Sequence, residues 1–154
     1  NFLILSNSNM IKDIEILKID THKDHRGFFR EISRLNNLKI NFSEGQISHS
    51  LVNKDVLKAW HGHKTQTQIN YLINGKIKVV LYDYRKNSDT FNEYHEFLVD
   101  NKENAVVYLF KPGILHSYKC LEGPMNIIYF TSGTYNISEE VRISPEDSSI
   151  KYKW

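Results

Sequence analysis

The stretch Val56 to His63, V-L-K-A-W-H-G-H, followed by Gln68 and then Asn74-Gly75, constrains the fold of this chain more than any other. His61 and His63 are two positions apart, and strand side chains alternate with period two, so both imidazoles leave one face of a sheet. Apolar runs at Ile69 to Ile73 and Ile77 to Tyr84 flank Asn74-Gly75, and Asn-Gly between such runs is the strongest short-range hairpin signal. A tight turn is expected there. A third imidazole, His116, follows the turn residues of Lys111-Pro112-Gly113 at the start of another strand.

Further strand signals lie at Ile14 to Ile19, Phe28 to Ile32, Glu96 to Val99, Val106 to Phe110 and Asn126 to Phe130. Turn residues separate them at Lys86-Asn87-Ser88-Asp89, Pro112-Gly113 and Glu122-Gly123-Pro124, the short spacing of an antiparallel sandwich or barrel. Long helical periodicity is absent, and no linker, repeat or low-complexity tract divides the chain. One all-β antiparallel barrel domain over residues 1–154 is expected. At 154 residues it is large enough to bury a core without disulfides or a structural metal. The lone Cys120 excludes an intrachain disulfide and favours a reducing compartment, so a cytoplasmic protein is expected. A net charge of +2 carries no nucleic-acid footprint. Phe2-Leu3-Ile4-Leu5 is too short for a signal-peptide core, and no run reaches transmembrane length, so no membrane partner is expected.

The histidine segments resemble the two motifs of a cupin-type jelly-roll β-barrel. The first motif, H-x-H, then Glu, then Gly, is followed by His61, His63, Gln68 and Gly75 with every spacing kept and Gln in place of Glu. The second, G-x-x-H, runs from Gly113 to His116. Six further segments are similar, in order, to the dTDP-4-dehydrorhamnose 3,5-epimerase family. Asp24-His25-Arg26-Gly27-Phe28-Phe29-Arg30-Glu31 fits D-x-R-G-x-F-x-E, and Gln46-Ile47-Ser48-His49-Ser50 resembles Q-x-N-x-S with Ser48 for Asn. Val56 to His61 stands where that family has V-L-R-G-L-H. Asp83-Tyr84-Arg85 and Ser88-Asp89-Thr90-Phe91 resemble D-x-R and S-P-T-F, and Tyr129 and Tyr135 match a tyrosine pair.

The resemblance implies proton transfer beside the ketone of a nucleotide-linked 4-keto-6-deoxysugar, in deoxysugar biosynthesis and without a cofactor. A hydrogen next to a ketone is a very weak acid, so its removal needs a positioned base and a donor for the developing enolate oxygen. Histidine suits the base because its unperturbed pKa lies near working pH. By motif position His61 is the base and Tyr129 the acid. Arg26, Glu31 and Gln46 are expected to hold nucleotide and sugar, with Lys58, Gln68, His116 and Tyr135 as further substrate contacts. A homodimer is also implied, since barrels of this kind pair through sheet edges.

Three departures stand out. Gln68 occupies the place of the family's enolate-stabilising lysine, and Lys58 replaces the motif arginine. The aspartate that orients the base histidine lies, in the family, beyond a W-P segment, whereas this sequence stops at Trp154. Glu146 and Asp147 are weak candidates for that partner. Two alternatives therefore stay open. His61, His63 and His116 with Gln68 could hold a divalent transition metal, since imidazoles and an oxygen donor suit such ions. A sugar-nucleotide-binding cupin without turnover would also keep this pocket. His22, His25, His49 and His95 are read as structural.

Overall fold

The computed structural model describes residues 10–38, 40–41 and 43–154. Phe2 to Leu5, weighed above as a signal sequence, lie outside the described residues. In chain order the strands are β1 (Ile14–Lys18), β2 (His22–Asp24), β3 (Gly27–Phe29), β4 (Gln46–Val52), β5 (Leu57–His63), β6 (Gln68–Asp83), β7 (Tyr94–Asp100), β8 (Val106–Phe110), β9 (Ile114–Thr131) and β10 (Glu140–Arg142). Two short 3-10 turns, Leu35–Asn37 and Ile137–Glu139, are the helical elements among the described residues. Every pairing is antiparallel.

Two long strands, β6 and β9, build the barrel by serving both of its walls. The first part of β6 pairs with β8 and with the last part of β9, which also pairs with β4. The second part of β6 pairs with β7 and with the first part of β9, which also pairs with β5; β10 then closes on β5. The result is a cupin-type jelly roll, with β1–β8–β6–β9–β4 facing β7–β6–β9–β5–β10.

This arrangement corrects the turn expected at Asn74-Gly75. The chain does not reverse there; it bends within one continuous strand, with register shifts between Leu72 and Ile77. Asn74 accepts from Asn126 N at 3.1 Å and its Nδ2 donates to Pro124 O at 3.0 Å, so its side chain ties β6 to the bend in β9. Gly75 sits at φ +92, where a Cβ would lie 2.6 Å from Glu122 O, so only glycine passes this corner. The turn expected at Glu122-Gly123-Pro124 is likewise a bend inside β9.

β8 is covered on both faces, which explains why V-V-Y-L-F is apolar throughout. Val106, Tyr108 and Phe110 point inward with Ile16, Leu72, Val79, Leu81, Ile114 and Ile127. Val107 and Leu109 point outward with Leu17, Ile69 and Tyr71, under Ile32, Leu38 and Ile40. On the other wall Trp60, Val80, Tyr82 and Leu115 are capped by Ile150, Tyr152 and Trp154 of the C-terminal segment. Fully burying a side chain of this size contributes about 1.5–3 kcal/mol, so these coverings fix the walls in register. No helix among the described residues is long and apolar enough to cross a membrane.

Candidate active site

At one end of the barrel the inward face turns polar and leaves a cavity of about 660 Å³. Each wall contributes alternate residues of its strands, as period-two geometry requires. One wall presents Gln46, Ser48 and Ser50 of β4, Gln68 and Asn70 of β6, and Ile127, Tyr129 and Thr131 of β9. The facing wall presents His61 and His63 of β5, His116 and Tyr118 of β9, and Glu140 and Arg142 of β10. Lys58 and Arg142 are exposed beside the opening.

The three motif histidines meet as expected. Ring centroids of His61 and His63 are 4.8 Å apart, and those of His61 and His116 are 4.9 Å apart. The decisive neighbour is Glu140, which β10 delivers by pairing with β5 in the register Glu140 to His63 and Arg142 to His61. Its side chain is 7% exposed; it contacts His61 Nε2 and lies 3.7 Å from His63 Nδ1 and 3.6 Å from Arg142. A carboxylate only accepts, so Nε2 of His61 carries the proton and Nδ1 is left with a lone pair. That nitrogen lies 3.1 Å from His116 Nε2, which donates to it.

Burial lowers the pKa of His61, and Glu140 opposes that by favouring the imidazolium. His116 is pushed well below the ordinary histidine value, first by burial and then by the neighbouring imidazoles. Burial thus favours the neutral form of both rings, the form a proton acceptor needs. Tyr118, held in the cavity wall, has its hydroxyl pushed up to about 12 by burial and by Tyr129. A neutral imidazole with a lone pair in the cavity, backed by a carboxylate and faced from the other wall by a tyrosine, can take a proton from carbon and return one.

The sequence profile of the dTDP-4-dehydrorhamnose 3,5-epimerase family matches residues 8–154. The chain belongs to this nucleotide-sugar epimerase family. It is 37% identical over 149 residues to the spore coat polysaccharide biosynthesis protein SpsL of Bacillus subtilis, covering 94% of this chain and 97% of that protein. It is 27% identical over 146 residues to a probable low-salt glycan biosynthesis epimerase, Agl13, of Haloferax volcanii, covering 92% of this chain and 88% of that one. Among solved structures, a dTDP-4-dehydrorhamnose 3,5-epimerase from Bacillus anthracis with TDP and PPi bound superposes with a TM-score of 0.85. It shares 21% identity and covers 100% of this chain and 90% of that one, a likeness of fold.

Within this family member, His61, His116, Gln46, Lys58, Gln68, Tyr129 and Tyr135 all line one cavity. Gln46 is tied to the Tyr135 segment, its Oε1 accepting from Tyr135 N at 2.9 Å. Two expected contacts lie elsewhere in the single chain. Arg26 sits on the exposed β2–β3 hairpin paired with Asp24, and Glu31 pairs with Arg34 at 2.8 Å. Gln68 is inside but committed, because its Oε1 accepts from His63 Nε2 at 2.9 Å and its Nε2 donates to Asn70 Oδ1 at 2.8 Å. The metal alternative had Gln68 as its oxygen ligand, and here that oxygen already pairs with His63. A group with an anionic oxygen that could hold a cation is His61, His63 and Glu140, whose donor atoms lie within 4.8 Å of one another. Family membership favours acid–base chemistry over that use.

Glu140, Arg142, Asn70 and Tyr118 are site residues that sequence reasoning missed. Glu146 and Asp147, the weak candidates for the partner of His61, lie off the site; Asp147 instead accepts from Ser149 N at 2.8 Å in a turn. A signal for Glu140 was available in the alternation Glu140-x-Arg142, which mirrors His61-x-His63.

Proposed function

We propose that the protein is an epimerase or keto-isomerase that moves protons beside the ketone of a nucleotide-linked 4-keto-6-deoxysugar. The observation that carries this reading is His61, anchored through Nε2 by buried Glu140 on one wall and facing Tyr129 on the other, in a member of this epimerase family. The cavity, at about 660 Å³, has the size of a small-ligand site.

His61 Nδ1 takes the proton from the carbon next to the ketone, and Glu140 stabilises the imidazolium that forms. His116 Nε2–H, relieved of its bond to Nδ1, turns its donor to the sugar. Tyr129 returns a proton from the opposite face, which inverts the carbon. Lys58 and Arg142 at the opening offer two cations to the diphosphate. Gln46 and Tyr135 bind the substrate beside them.

Arg26 and Glu31 serve a cavity only if the β2–β3 hairpin reaches that of a second copy, and a homodimer provides this. Phe28 at 57% and Phe29 at 66% exposure on the hairpin, with Ile47 at 69% and Leu51 at 61% on β4, favour such pairing. The lone, buried Cys120 fits a cytoplasmic place in deoxysugar supply.

The test is incorporation of solvent deuterium into dTDP-linked 4-keto-6-deoxysugars, followed by NMR before and after exhaustive chelation. Exchange that survives chelation and disappears in His61→Ala, with dTDP binding kept, is the expected result. Tight dTDP binding without exchange on any such sugar would leave a binding protein, and exchange lost on chelation would make the His61, His63 and Glu140 group a metal centre.

A further inference from the structure

One buried amide in the cavity wall has an unused donor. Asn70 is 3% exposed, lines the cavity, and its Nδ2 has no hydrogen-bond partner among the described residues. Buried donors are paired in nearly all native structures, so an unmet one in a residue of a cavity wall marks a place where something else can supply the acceptor. Its aim is fixed from behind. His63 Nε2 donates to Gln68 Oε1, and Gln68 Nε2 donates to Asn70 Oδ1, so the amide is held by its oxygen while its Nδ2, within the cavity wall, stays unmatched. Hydrogen bonds in series polarise one another, which strengthens the last donor. Asn70 also stands opposite Tyr129 in the β6–β9 register, so the two side chains share one face.

Proton removal beside a ketone places a growing negative charge on the carbonyl oxygen, and a preorganised donor there lowers the barrier. Gln68 is held at both ends, its Oε1 by His63 and one N–H by Asn70, so of the two amide nitrogens the one wholly without a partner among the described residues is that of Asn70. We propose that Asn70 Nδ2 is the donor to the developing enolate oxygen, with His63 and Gln68 as positioning residues; this rests on the proton-transfer reading above. As the C–H bond breaks, its proton passes to His61 Nδ1, its electron pair becomes the C=C bond, and the carbonyl pair moves onto oxygen. Asn70 keeps both of its protons. Return of a proton to carbon restores the ketone and releases the oxygen from Asn70.

The experiment measures deuterium exchange on a dTDP-linked 4-keto-6-deoxysugar by wild type, Asn70→Ala, Asn70→Asp and Gln68→Leu. Asn70→Ala is expected to lower kcat by about 10²–10³-fold with little change in KM, the loss seen when one oxyanion donor is removed. Asn70→Asp keeps the size but only accepts, and should be at least as slow; Gln68→Leu should lose less, again in kcat. A second readout does not need turnover: in a His61→Ala background the carbonyl stretch of the isotope-labelled bound ketone should fall to lower frequency, and Asn70→Ala should restore it. Thermal melting and dTDP binding exclude misfolding, and if Asn70→Ala fails to fold then Asn70→Asp carries the comparison. Exchange by the Asn70 variants within about threefold of wild type, or a carbonyl stretch indifferent to Asn70, overturns this assignment while the epimerase reading stands. No exchange by wild type on any such sugar overturns both.

Discussion

Glu140→Gln is the sharpest probe of the proposed base, because it removes a charge and almost nothing else. The carboxylate is 7% exposed, contacts His61 Nε2, and has His63 Nδ1 at 3.7 Å on its other oxygen. Glutamine can keep accepting from Nε2–H while its amide nitrogen faces the lone pair of His63, so the tautomer and the packing survive. What changes is the moment when His61 becomes an imidazolium. A hydrogen bond involving a charged group is worth about 1.5–3 kcal/mol and a neutral one about 0.5–1.5, so the variant forfeits about 1–2 kcal/mol of transition-state stabilisation. That is about a 5- to 30-fold fall in kcat, with KM held. Arg142, 3.6 Å from the same oxygen, would lose its counter-charge and push in the same direction.

The pH profile separates this from a packing role. Burial lowers the pKa of His61 and Glu140 opposes it, so removing the carboxylate leaves burial, His63 and Arg142, all of which lower it further. A base must be unprotonated to work, so the acidic limb of kcat/KM should move to lower pH even as the plateau drops. The assay is deuterium exchange by NMR across the acidic to neutral range. Glu140→Gln with an unmoved acidic limb and wild-type kcat would refute the reasoning, since His61 would then owe nothing to Glu140. Glu140→Ala, which leaves Nε2–H without an acceptor, should fall below Gln.

Tyr129→Phe should lower kcat by about 10²–10⁴-fold, the usual worth of a general acid, with dTDP affinity by calorimetry unchanged. Asp83→Asn tests the bracket behind the barrel, where Asp83, fully buried, accepts from Arg85, Ser88 and Thr90. Because Arg85 keeps Asp13 at 2.6 Å, a loss of about 3 kcal/mol, the low end for a broken buried pair, is expected. That is a fall of about 6–12 °C in Tm. These hydrogen bonds outweigh burial and hold the Asp83 carboxyl far below the ordinary value, so its contribution is complete above the unfolded pKa of about 3.9 and is lost as pH falls towards the folded one. The gap between variant and wild type should therefore close in acid. Gly75→Ala should cut soluble yield and Tm, since its Cβ would meet Met125 Cβ at 2.7 Å on top of strain of about 1–3 kcal/mol at positive φ.

The strands that were legible are those whose pattern is local. Val106 to Phe110 was read to the residue and Ile14 to Ile19 to within one, because an apolar run bounded by turn residues needs no partner to announce itself. The Asn74-Gly75 hairpin was misread for an equally physical reason. Asn-Gly reports that the backbone can adopt positive φ, and a reversing turn and a bend in a continuous strand both use that freedom. What decides between them is whether β9 runs alongside, a fact held by Asn126 and Pro124, far along the chain. Glu140 was hidden in the same way, since the one local cue of a three-residue strand is the alternation Glu140-x-Arg142, and its place is gained only by pairing with β5.

Asn70 shows what an alternating pattern leaves undecided on its own. Along β6 the sequence Gln68-Ile69-Asn70-Tyr71 alternates polar and apolar, which on a half-buried strand would send the amides to solvent. The reverse holds: Gln68 and Asn70 face the cavity, while Ile69 and Tyr71 pack under Ile32, Leu38 and Ile40. A strand covered on both faces can afford this inversion, because the outward apolar residues are buried by the N-terminal segment and the inward amides by one another. Two strand positions later the same inward face carries Leu72, back in the apolar core. The switch from amide to leucine on one face of one strand is thus the floor of the cavity written in sequence, and it becomes readable only once the outer layer is known to exist.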